Sequence, residues 1–456
     1  MSEVTVNIPP RVPMAATEFA NYLLKQRVKN QIDNNWLQTF QAASSDRLKE
    51  IPFPTLRQEQ WKYTDVADLL KFPWQLAALP EMDSEINLEN ENLKNLISSH
   101  TLPESAKSLI VFVNGIYNTE FTELENIPDE VRLSCEFDQT IPLLQEHLST
   151  NSDSLDFFAI LNNACFQELA IIQIPPNTQL DVPIQILFVQ DFGEKVAIAH
   201  NRCLVVVGEN SKINLIQTNV GTDNHPYFAN SVTQIWLEAN AQADHTLIQQ
   251  QGNQAFDLAF TQVSQARESS YRISAISLGA KLSRHTLQIQ QQGSGANSEI
   301  NGLAIINDSQ LADTHSVISH NFANGTSQQL HKCVISDRAH AVFSGKIQVA
   351  KAAQLTNSSQ FNRNLLLSSQ AKIDTQPQLE ILADNVKCAH GATVSQLEQE
   401  EIFYLQSRGI DAARAVNLLT YGFAAEVITK IPISSLQEKL NKLVLDQVQQ
   451  AEELLE

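Results

Sequence analysis

The chain has 456 residues and a formal net charge of −20, with 31 Lys and Arg residues against 51 Asp and Glu residues. This acidity argues against nucleic acid or an anionic membrane as the main partner, because both attract surfaces rich in Lys and Arg. The length exceeds the usual size of a single hydrophobic core, so two or three domains are expected.

Cysteine usage and hydropathy indicate a reducing, cytoplasmic setting. No apolar run approaches the roughly 20 residues that cross a bilayer, and the first residues show neither the basic nor the apolar region of a signal peptide. The five cysteines are scattered and form no C-x-x-C pair, which argues against a zinc ribbon or a thioredoxin-like site. Cysteines without a disulfide pattern are typical of cytoplasmic proteins.

Residues 1–110 are predicted to form an N-terminal helical region. Residues 14–49 carry apolar side chains at helical spacing, with Thr17 as a candidate N-cap. Trp61 lies next to a turn, where an aromatic side chain is more often a packing anchor than part of a ligand pocket. Residues 81–106 are acidic and carry Asn, Ser and Pro, and we expect them to form a solvated excursion.

A further helix is predicted over residues 150–169, with Asp153 or Ser154 as its cap. From about residue 170 the pattern changes to short runs of Ile, Val and Leu, which are typical of strands. An earlier run, Leu109–Val113, has the same character. The strand-rich core is therefore expected to occupy residues 111–392.

A loose internal repeat runs through this core. A turn with a small residue precedes each strand, at a spacing of about 30 residues early in the repeat and about 14–18 residues at its end. Such a pattern predicts a β-solenoid, in which each unit stacks on its neighbours. A β-sandwich is the competing fold, but the two-residue hairpin turns that it needs are scarce. The expected corner residues are Ser211, Ala241, Ala280, Ser309, Ala339, Ala353 and Ala371.

Residues 393–456 are predicted to form a C-terminal helical domain. Ser395 and Glu398 match a capping box before a first helix, and Gly409 is suited to end that helix. Asp411 is suited to cap a second helix, and a third, amphipathic helix runs to the C-terminus. A helical appendage either covers the end of a solenoid or docks a partner, and its deletion is expected to leave the β core folded.

Cys388 and His390 are the candidate metal ligands. Side chains alternate along a strand, so both project from the same face if residues 386–390 are extended. A thiolate and a neutral imidazole suit iron, zinc or copper. The alternative, from the residues alone, is that both simply close the last strand, because a C-x-H motif is short and a free cysteine is often a small buried apolar residue.

Two other sets of residues could form sites. Stacked coils could bring several metal-binding side chains together, and Asp384 and Glu380 could act as the paired carboxylates of a polysaccharide-cleaving β-helix enzyme. Such an enzyme needs an aromatic-lined groove, and the repeat region is poor in aromatic residues. The side chains of the first set are His315, His320, His331, Cys333 and His340.

Five stretches, in the same order along the chain, resemble the SufB/SufD family of the Suf iron–sulfur cluster assembly machinery. The resemblance is weakest between residues 65 and 170 and most specific between residues 361 and 393, where the Lys-Cys-x-His-Gly-Ala-Thr form favours the SufD branch. The stretches are Pro54–Thr64, Phe361–Ser368, Ile373–Ile381, Asp384–Thr393 and Phe403–Ile410.

The resemblance implies a mainly β protein, with a right-handed parallel β-helix core between N-terminal and C-terminal α-helical regions. It implies a scaffold subunit that pairs with SufB through the β-helix cores and binds SufC, a soluble ABC-type ATPase, through its C-terminal helices. ATP-driven movement of SufC would open the SufB interface, where a transient iron–sulfur cluster is built. His390 falls on the family's interface histidine, a candidate cluster ligand, and Cys388 falls on the neighbouring cysteine.

The resemblance also implies that Phe403, Tyr404, Arg408 and Gly409 belong to the surface that binds the ATPase. The chain has no G-x-x-x-x-G-K-[ST] motif, so a non-catalytic subunit is expected, with ATP hydrolysis in SufC. A homodimer of the isolated chain and a flavin in the complex are both compatible with the family. A structural coupling subunit that binds no iron is the main alternative to a cluster scaffold.

Overall fold

A computed structural model of the protein describes residues 14–27, 35–77, 91–134, 141–148, 155–222 and 225–453. Its helices are α1 (Ala16–Gln26), α2 (Asn35–Glu50), α3 (Glu91–His100), α4 (Ile141–Leu148), α5 (Phe157–Cys165), α6 (Gln399–Ser407), α7 (Ala412–Ile428) and α8 (Ser434–Glu453). Its strands are β1 (Gln75–Leu76), β2 (Leu109–Val113), β3 (Ile116–Tyr117), β4 (Arg132–Ser134), β5 (Ala170–Ile174), β6 (Ile184–Gln190), β7 (Ala197–Val207), β8 (Lys212–Gly221), β9 (Phe228–Leu237), β10 (Gln242–Gln250), β11 (Phe256–Gln265), β12 (Ser270–Ser277), β13 (Leu282–Gln291), β14 (Asn297–Ile306), β15 (Leu311–His320), β16 (Thr326–Ile335), β17 (His340–Val349), β18 (Asn357–Leu366), β19 (Lys372–Ile381) and β20 (Lys387–Ser395).

The strands build a parallel β-solenoid, which confirms the predicted fold class over that of a hairpin-rich sandwich. The chain alternates between two sheets, so that each coil adds one strand to each. The first sheet has the order β19-β17-β15-β13-β11-β9-β7-β5-β4, with β1 on the side of β7, and the second has the order β20-β18-β16-β14-β12-β10-β8-β6-β2-β3. Position along the sequence is therefore position along the solenoid axis.

The structural repeat is one coil of two strands. From β5 onward, the step from coil to coil varies from 26 residues, between Phe256 and its partner Leu282, to 33 residues, between Ala170 and its partner Cys203. The shorter spacing in the sequence pattern corresponds to the half-coil from one sheet to the other. The expected corner residues all lie in the turns between strands, which confirms the prediction; most of them are buried, whereas Ser309 is exposed and its neighbour Gln310 is buried.

One corner of the solenoid repeats a left-handed backbone conformation. The N–H of each left-handed residue donates to a carbonyl of the next coil, which shows that these positions are equivalent. Asn and Gly tolerate positive φ better than other residues, so they suit this corner. We call these positions the left-handed corner: Asn177, Asn210, Asn240, Glu268, Gly295, Asn324 and Leu355, with φ between 55° and 71°.

The interior of the solenoid is apolar in its first coils, and helices cover both outer faces. The N-terminal helices and α5 cover the first sheet, where Trp61 and Phe158 pack with Phe228 and Phe256 of the strands. Trp61 is thus the predicted packing anchor. Helices α7 and α8 cover the second sheet, and their apolar side chains bury Ile216 and others on its outer face. No helix in the described part of the chain is long and apolar enough to cross a membrane.

The N-terminal helices differ from the sequence predictions in their bounds. Ala15, not Thr17, stands before the first turn of α1, and it makes no side-chain capping bond. The segment expected to be helical over residues 14–49 contains two helices, α1 and α2, and residues 28–34 between them lie outside the described residues.

Two further segments also differ. The helix expected over residues 150–169 is the shorter α5, whose cap is Asp156, because its carboxylate accepts from the Ala159 N–H at 2.8 Å. Asp153 and Ser154 lie outside the described residues. The expected solvated excursion contains α3, which buries Leu93 and Ile97.

At the C-terminal end the predicted capping box is wrong. Ser395 pairs with Leu365 as the last residue of β20, and α6 begins after Glu398, which makes no side-chain capping bond. Sheet pairing therefore extends into the segment where local sequence favoured a helix start. The other two predictions are confirmed, since Gly409 follows α6 with φ +86° and the Asp411 carboxylate caps α7 by accepting from the Arg414 N–H at 2.8 Å.

Candidate functional site

The candidate site lies at the C-terminal end of the solenoid. Within the described residues, β19 pairs with β17, β20 pairs with β18, and no further strand lies beyond either one. Both sheets therefore finish at the same end with backbone donors and acceptors that face outward. Unpaired edges of this length are a template for association with another chain, and natural proteins normally shield them. We call this end, formed by β19 and β20, the open end.

Cys388 and His390 both face the interior side of β20. They pair in register with Ser358 and Gln360 of β18, whose side chains are buried inside the solenoid. Because β20 belongs to the last coil, nothing in the described chain closes this side, so His390 is exposed and Cys388 is half-buried. The imidazole is thus reachable by a second chain.

Beneath His390 lies a row of hydrogen-bonded amides. Gln360 Nε2 donates to Gln329 Oε1 at 2.8 Å, and Gln329 Nε2 donates to Ser316 Oγ at 2.9 Å. Gly345, on the opposite sheet, makes room for this row, because a Cβ there would come within 1.7 Å of Gln360 Nε2. The floor of the open end is therefore a fixed polar layer, in contrast to the apolar interior of the first coils.

A second row leads to Cys388. Ser358 Oγ and Ser327 Oγ share a hydrogen bond of 2.6 Å, and His320 Nε2 lies 2.9 Å from Ser327 Oγ. Cys388 itself packs beside an apolar cluster that includes Ile347. Burial raises the pKa of its thiol, and a hydrogen bond with the Ser358 backbone only partly opposes that rise. The thiol is protonated near neutral pH, so it must lose a proton before it can bind a metal.

The second set of candidate ligands does not come together. In the ranges that the structure describes, no three His, Cys, Asp or Glu side chains form a group that could hold a metal ion. Each candidate has another contact: His315 with Asp313 at 3.1 Å, His320 with Ser327, His331 stacked on Phe343, His340 with Asp374 at 2.8 Å, and Cys333 in the core with a pKa raised to about 12 by burial.

Two family models match this chain. Residues 19–186 match the SufBD protein N-terminal region, and residues 188–423 match the SufBD core domain of SUF system FeS cluster assembly. The chain belongs to the SufBD family. The predicted resemblance is confirmed, and with it a place in iron–sulfur cluster assembly.

Individual SufBD relatives match over nearly the whole chain. An iron–sulfur cluster assembly SufBD family protein of Synechocystis is 37% identical over 436 residues, which cover 92% of this chain and 93% of that protein. The iron–sulfur cluster assembly protein SufD of Escherichia coli is 30% identical over 390 residues, which cover 85% and 87% of the two chains. The chloroplastic protein ABCI7 of Arabidopsis thaliana is 30% identical over 413 residues, which cover 88% and 84%.

Glu380, one of the two carboxylates considered for polysaccharide cleavage, does not suit that chemistry in this SufBD chain. Glu380 pairs with Lys346 at 2.8 Å and accepts from Gln348 Nε2 at 3.0 Å. These hydrogen bonds lower the pKa of Glu380, whereas a general acid for glycoside cleavage needs a raised pKa.

The candidate partner surface of this SufBD chain is on α6. None of the residues of α6 is buried, and Phe403 and Tyr404 are 70% and 57% exposed. The Arg408 guanidinium lies 5.3 Å from the centre of the Tyr404 ring, and Arg408 Nη2 donates to Tyr404 Oη at 3.3 Å. Gly409 then ends the helix. The four residues thus form one exposed surface of two aromatic rings, a cation and a turn.

Sequence reasoning missed Gln360, Gln329 and Gly345. They lie 30 or more residues from each other or on opposite sheets, so only the coil register brings them beneath His390. The one signal in the sequence is the density of Asn and Gln near the end of the repeat, which the interior of a solenoid tolerates only when the amides bond to each other.

Proposed function

We propose that this chain is a non-catalytic scaffold subunit that pairs with a SufB-type chain over the open end and offers His390 to a nascent iron–sulfur cluster. The observation that carries the proposal is the position of His390, which is exposed on the interior side of the last strand of a solenoid. A partner that covers β19 and β20 must also cover the imidazole.

Ligand number supports a site shared between chains. Protein-bound clusters usually take four ligands, and this end of the chain offers one imidazole and one half-buried thiol. The remaining ligands would come from the partner or from free thiols. Cys388 is the weaker candidate of the two, because its thiol is protonated and packs beside an apolar cluster. The cluster is cargo that is built and passed on.

The C-terminal helices are suited to couple the ATPase SufC to this site. Helices α7 and α8 bury apolar side chains against the second sheet, so a movement of SufC that displaces these helices would also displace the solenoid. Helix α6 packs against α7 and presents Phe403 and Tyr404 outward. ATP hydrolysis belongs to SufC, and its movement would open and close the pairing at β19 and β20. In isolation, two copies of this chain would pair through the same open end.

The test is a substitution in the complete complex. The His390→Ala chain is co-expressed with SufB and SufC, the complex is purified, and its iron and acid-labile sulfide are measured. We expect normal assembly with little cluster, partial recovery in His390→Cys because a thiolate also ligates iron, and a milder loss in Cys388→Ala. His225→Ala, at a histidine remote from the open end, is the matched control.

Normal cluster content in His390→Ala, with the complex intact, would overturn the ligand role. The chain would then be a coupling subunit that holds SufB and transmits the movement of SufC. Loss of assembly in His390→Ala would show that the imidazole serves pairing itself. Absence of any complex between the unaltered chain and SufB would refute the proposal as a whole.

A further inference from the structure

The left-handed corner changes character as it approaches the open end. In the early coils its side chains form a ladder of amides, since Asn210 Nδ2 donates to Asn177 Oδ1 and Asn240 Nδ2 donates to Asn210 Oδ1, both at 3.0 Å. Every position before the last carries Asn, Glu or Gly. Leu355, at the last position, breaks this pattern with an aliphatic side chain at φ +63°.

The Leu355 backbone makes the same hydrogen bond to the next coil as its equivalents do, but its side chain is unsuited to this conformation. A bulky side chain at positive φ is strained, and such strain persists only where something compensates for it. The side chain of Leu355 is 56% exposed, so burial in the core does not supply the compensation. Backbone strain of this kind, together with an exposed apolar side chain, is more often found at sites of interaction than at ordinary turns.

Two more exposed apolar side chains lie in the turns of the same corner, one in the coil before Leu355 and one in the coil after it. Phe322, between β15 and β16, is 47% exposed, and Leu382, between β19 and β20, is 64% exposed. Parallel strands lie about 4.8 Å apart, so three successive coils spread these side chains along roughly 10 Å of the solenoid axis. We call Phe322, Leu355 and Leu382 the corner row.

The corner row extends to the open end. Leu382 directly follows the last residue of β19, and the Leu355 N–H donates to the Asn385 carbonyl at 2.7 Å, shortly before Cys388 and His390. A chain that covers the edges of β19 and β20 therefore meets Leu382 first. A segment of the same chain that continues back along the corner would cover Leu355 and Phe322.

We propose that the corner row is a second contact for the SufB-type chain, which reaches past the open end and lays an apolar segment along this corner. The inference rests on the proposed function, because it takes the partner at the open end as its occupant. The contact places part of the pairing surface outside the cluster site, so that the two chains can stay attached at the corner while the strands around His390 separate.

The test exploits the strain at Leu355. Leu355→Asn introduces the side chain found at the equivalent positions Asn240 and Asn324. Because Asn tolerates positive φ better than Leu, the isolated variant should show a higher Tm. The same substitution should weaken the affinity for SufB by roughly tenfold, as measured by titration of the purified full chains. Phe322→Ser combined with Leu382→Ser should weaken it as well. Leu124→Ser, an exposed leucine between β3 and β4 at the other end, is the control and should bind unchanged.

The outcomes separate this inference from the proposed function. If the unaltered chain binds SufB and Leu355→Asn binds equally tightly, the corner contact is wrong and the pairing at the open end stands. If Leu355→Asn lowers the Tm, Leu355 is a structural residue of the turn and the inference is wrong. If the unaltered chain does not bind SufB, both fail together.

Discussion

His390 and Gln360 are partners in register on the last two strands of the second sheet, and the Gln360 amide is itself held by Gln329 Oε1 at 2.8 Å. The candidate ligand therefore stands above a side chain that cannot move freely. A ligand that must receive iron at a separable interface benefits from such a fixed neighbour, because less freedom is lost when the metal binds.

Gly345→Ala tests this layer. The new Cβ would collide with Gln360 Nε2, so Gln360 must leave its hydrogen bond with Gln329. We expect the free energy of unfolding in urea to fall by about 1–3 kcal/mol, from overpacking and a lost buried hydrogen bond. Gly422→Ala in α7 is the control, since nothing lies within 4 Å of a Cβ there. It should stabilise the protein by about 0.5–1 kcal/mol. Equal stability of the two variants would contradict this account of the layer.

Phe403→Ser combined with Tyr404→Ser should abolish binding of SufC and leave the Tm nearly unchanged, because both side chains are exposed. Pull-down of SufC with the full-length variant measures the first, and thermal unfolding measures the second. Leu56→Ser, at an exposed apolar residue outside α6, serves as the control. Undiminished capture of SufC by the double variant would remove α6 from the binding surface.

Deletion of residues 395–456 is a poorer test than the sequence suggested. Helices α7 and α8 bury Ile216, Ile248 and Val334 of the second sheet, so their removal exposes a broad apolar face. The β core of the truncated chain is expected to aggregate or bind hydrophobic dyes, which contradicts the earlier expectation that it stays soundly folded. Light scattering of the truncated chain checks this outcome, and a monodisperse core would contradict it.

Arg284→Met should destabilise the fold strongly. The Arg284 guanidinium lies 3.8 Å from the centre of the Trp61 ring and pairs with Asp313, which is fully buried. Burial alone would raise the pKa of Asp313, but the charges of Arg284 and His315 hold it at about 2. Without the guanidinium the carboxylate is a buried charge that lacks its main partner. The free energy of unfolding, measured in urea, should therefore fall by about 3–5 kcal/mol.

Arg272→Met is the matched control for that variant. Arg272 pairs with Asp244 and Glu299 at 3.1 Å each on an exposed part of the second sheet. Exposed pairs contribute about 1 kcal/mol or less, so this variant should stay close to the unaltered protein. If the two arginine variants lost similar amounts of unfolding free energy, burial of an ion pair would not decide how much that pair stabilises the fold.

Asp257 should make stability depend on pH. It lies inside the solenoid, lines a small cavity with His285 and His331, and burial raises its pKa to about 7. The folded pKa exceeds the unfolded one, so this group favours the folded state at low pH, and that contribution is lost as the pH rises from about 4 to about 7. Asp257→Asn should therefore gain stability relative to the unaltered protein across this range, by up to about 1.4 kcal/mol per pH unit.

The free energy of unfolding in urea is measured for both proteins between pH 4 and pH 8. The value for the unaltered protein is then subtracted from the value for Asp257→Asn at each pH. The difference removes the contributions of His285 and His331, whose pKa values burial lowers to about 4 and about 3 in both proteins. Above pH 7 the difference should become constant. A difference that does not change with pH would mean that Asp257 titrates normally.

The repeat of turns and short strands was enough to predict the solenoid, and the alternation of side chains along a strand was enough to predict the shared face of Cys388 and His390. Register was not accessible, because Ser309 and Gln310 are equally plausible at a corner until the neighbouring coils fix which one is buried. For the same reason the amide layer under His390 was missed. Ser395 shows the opposite error. The local sequence predicted the start of a helix there, but Ser395 pairs with Leu365 as part of the sheet.

The two ends of the solenoid are unlike, and this limits how far such chains can associate. At the N-terminal end the sheets finish in short antiparallel strands, β3 beside β2 and β4 beside β5, and α4 packs there. Short strands of this kind do not serve as templates for addition. Within the described residues, β19 and β20 are the long unpaired edges, and two chains that pair through them would cover both. Pairing of this kind would close at two chains, so that a repeat fold able to extend into fibres would stay finite.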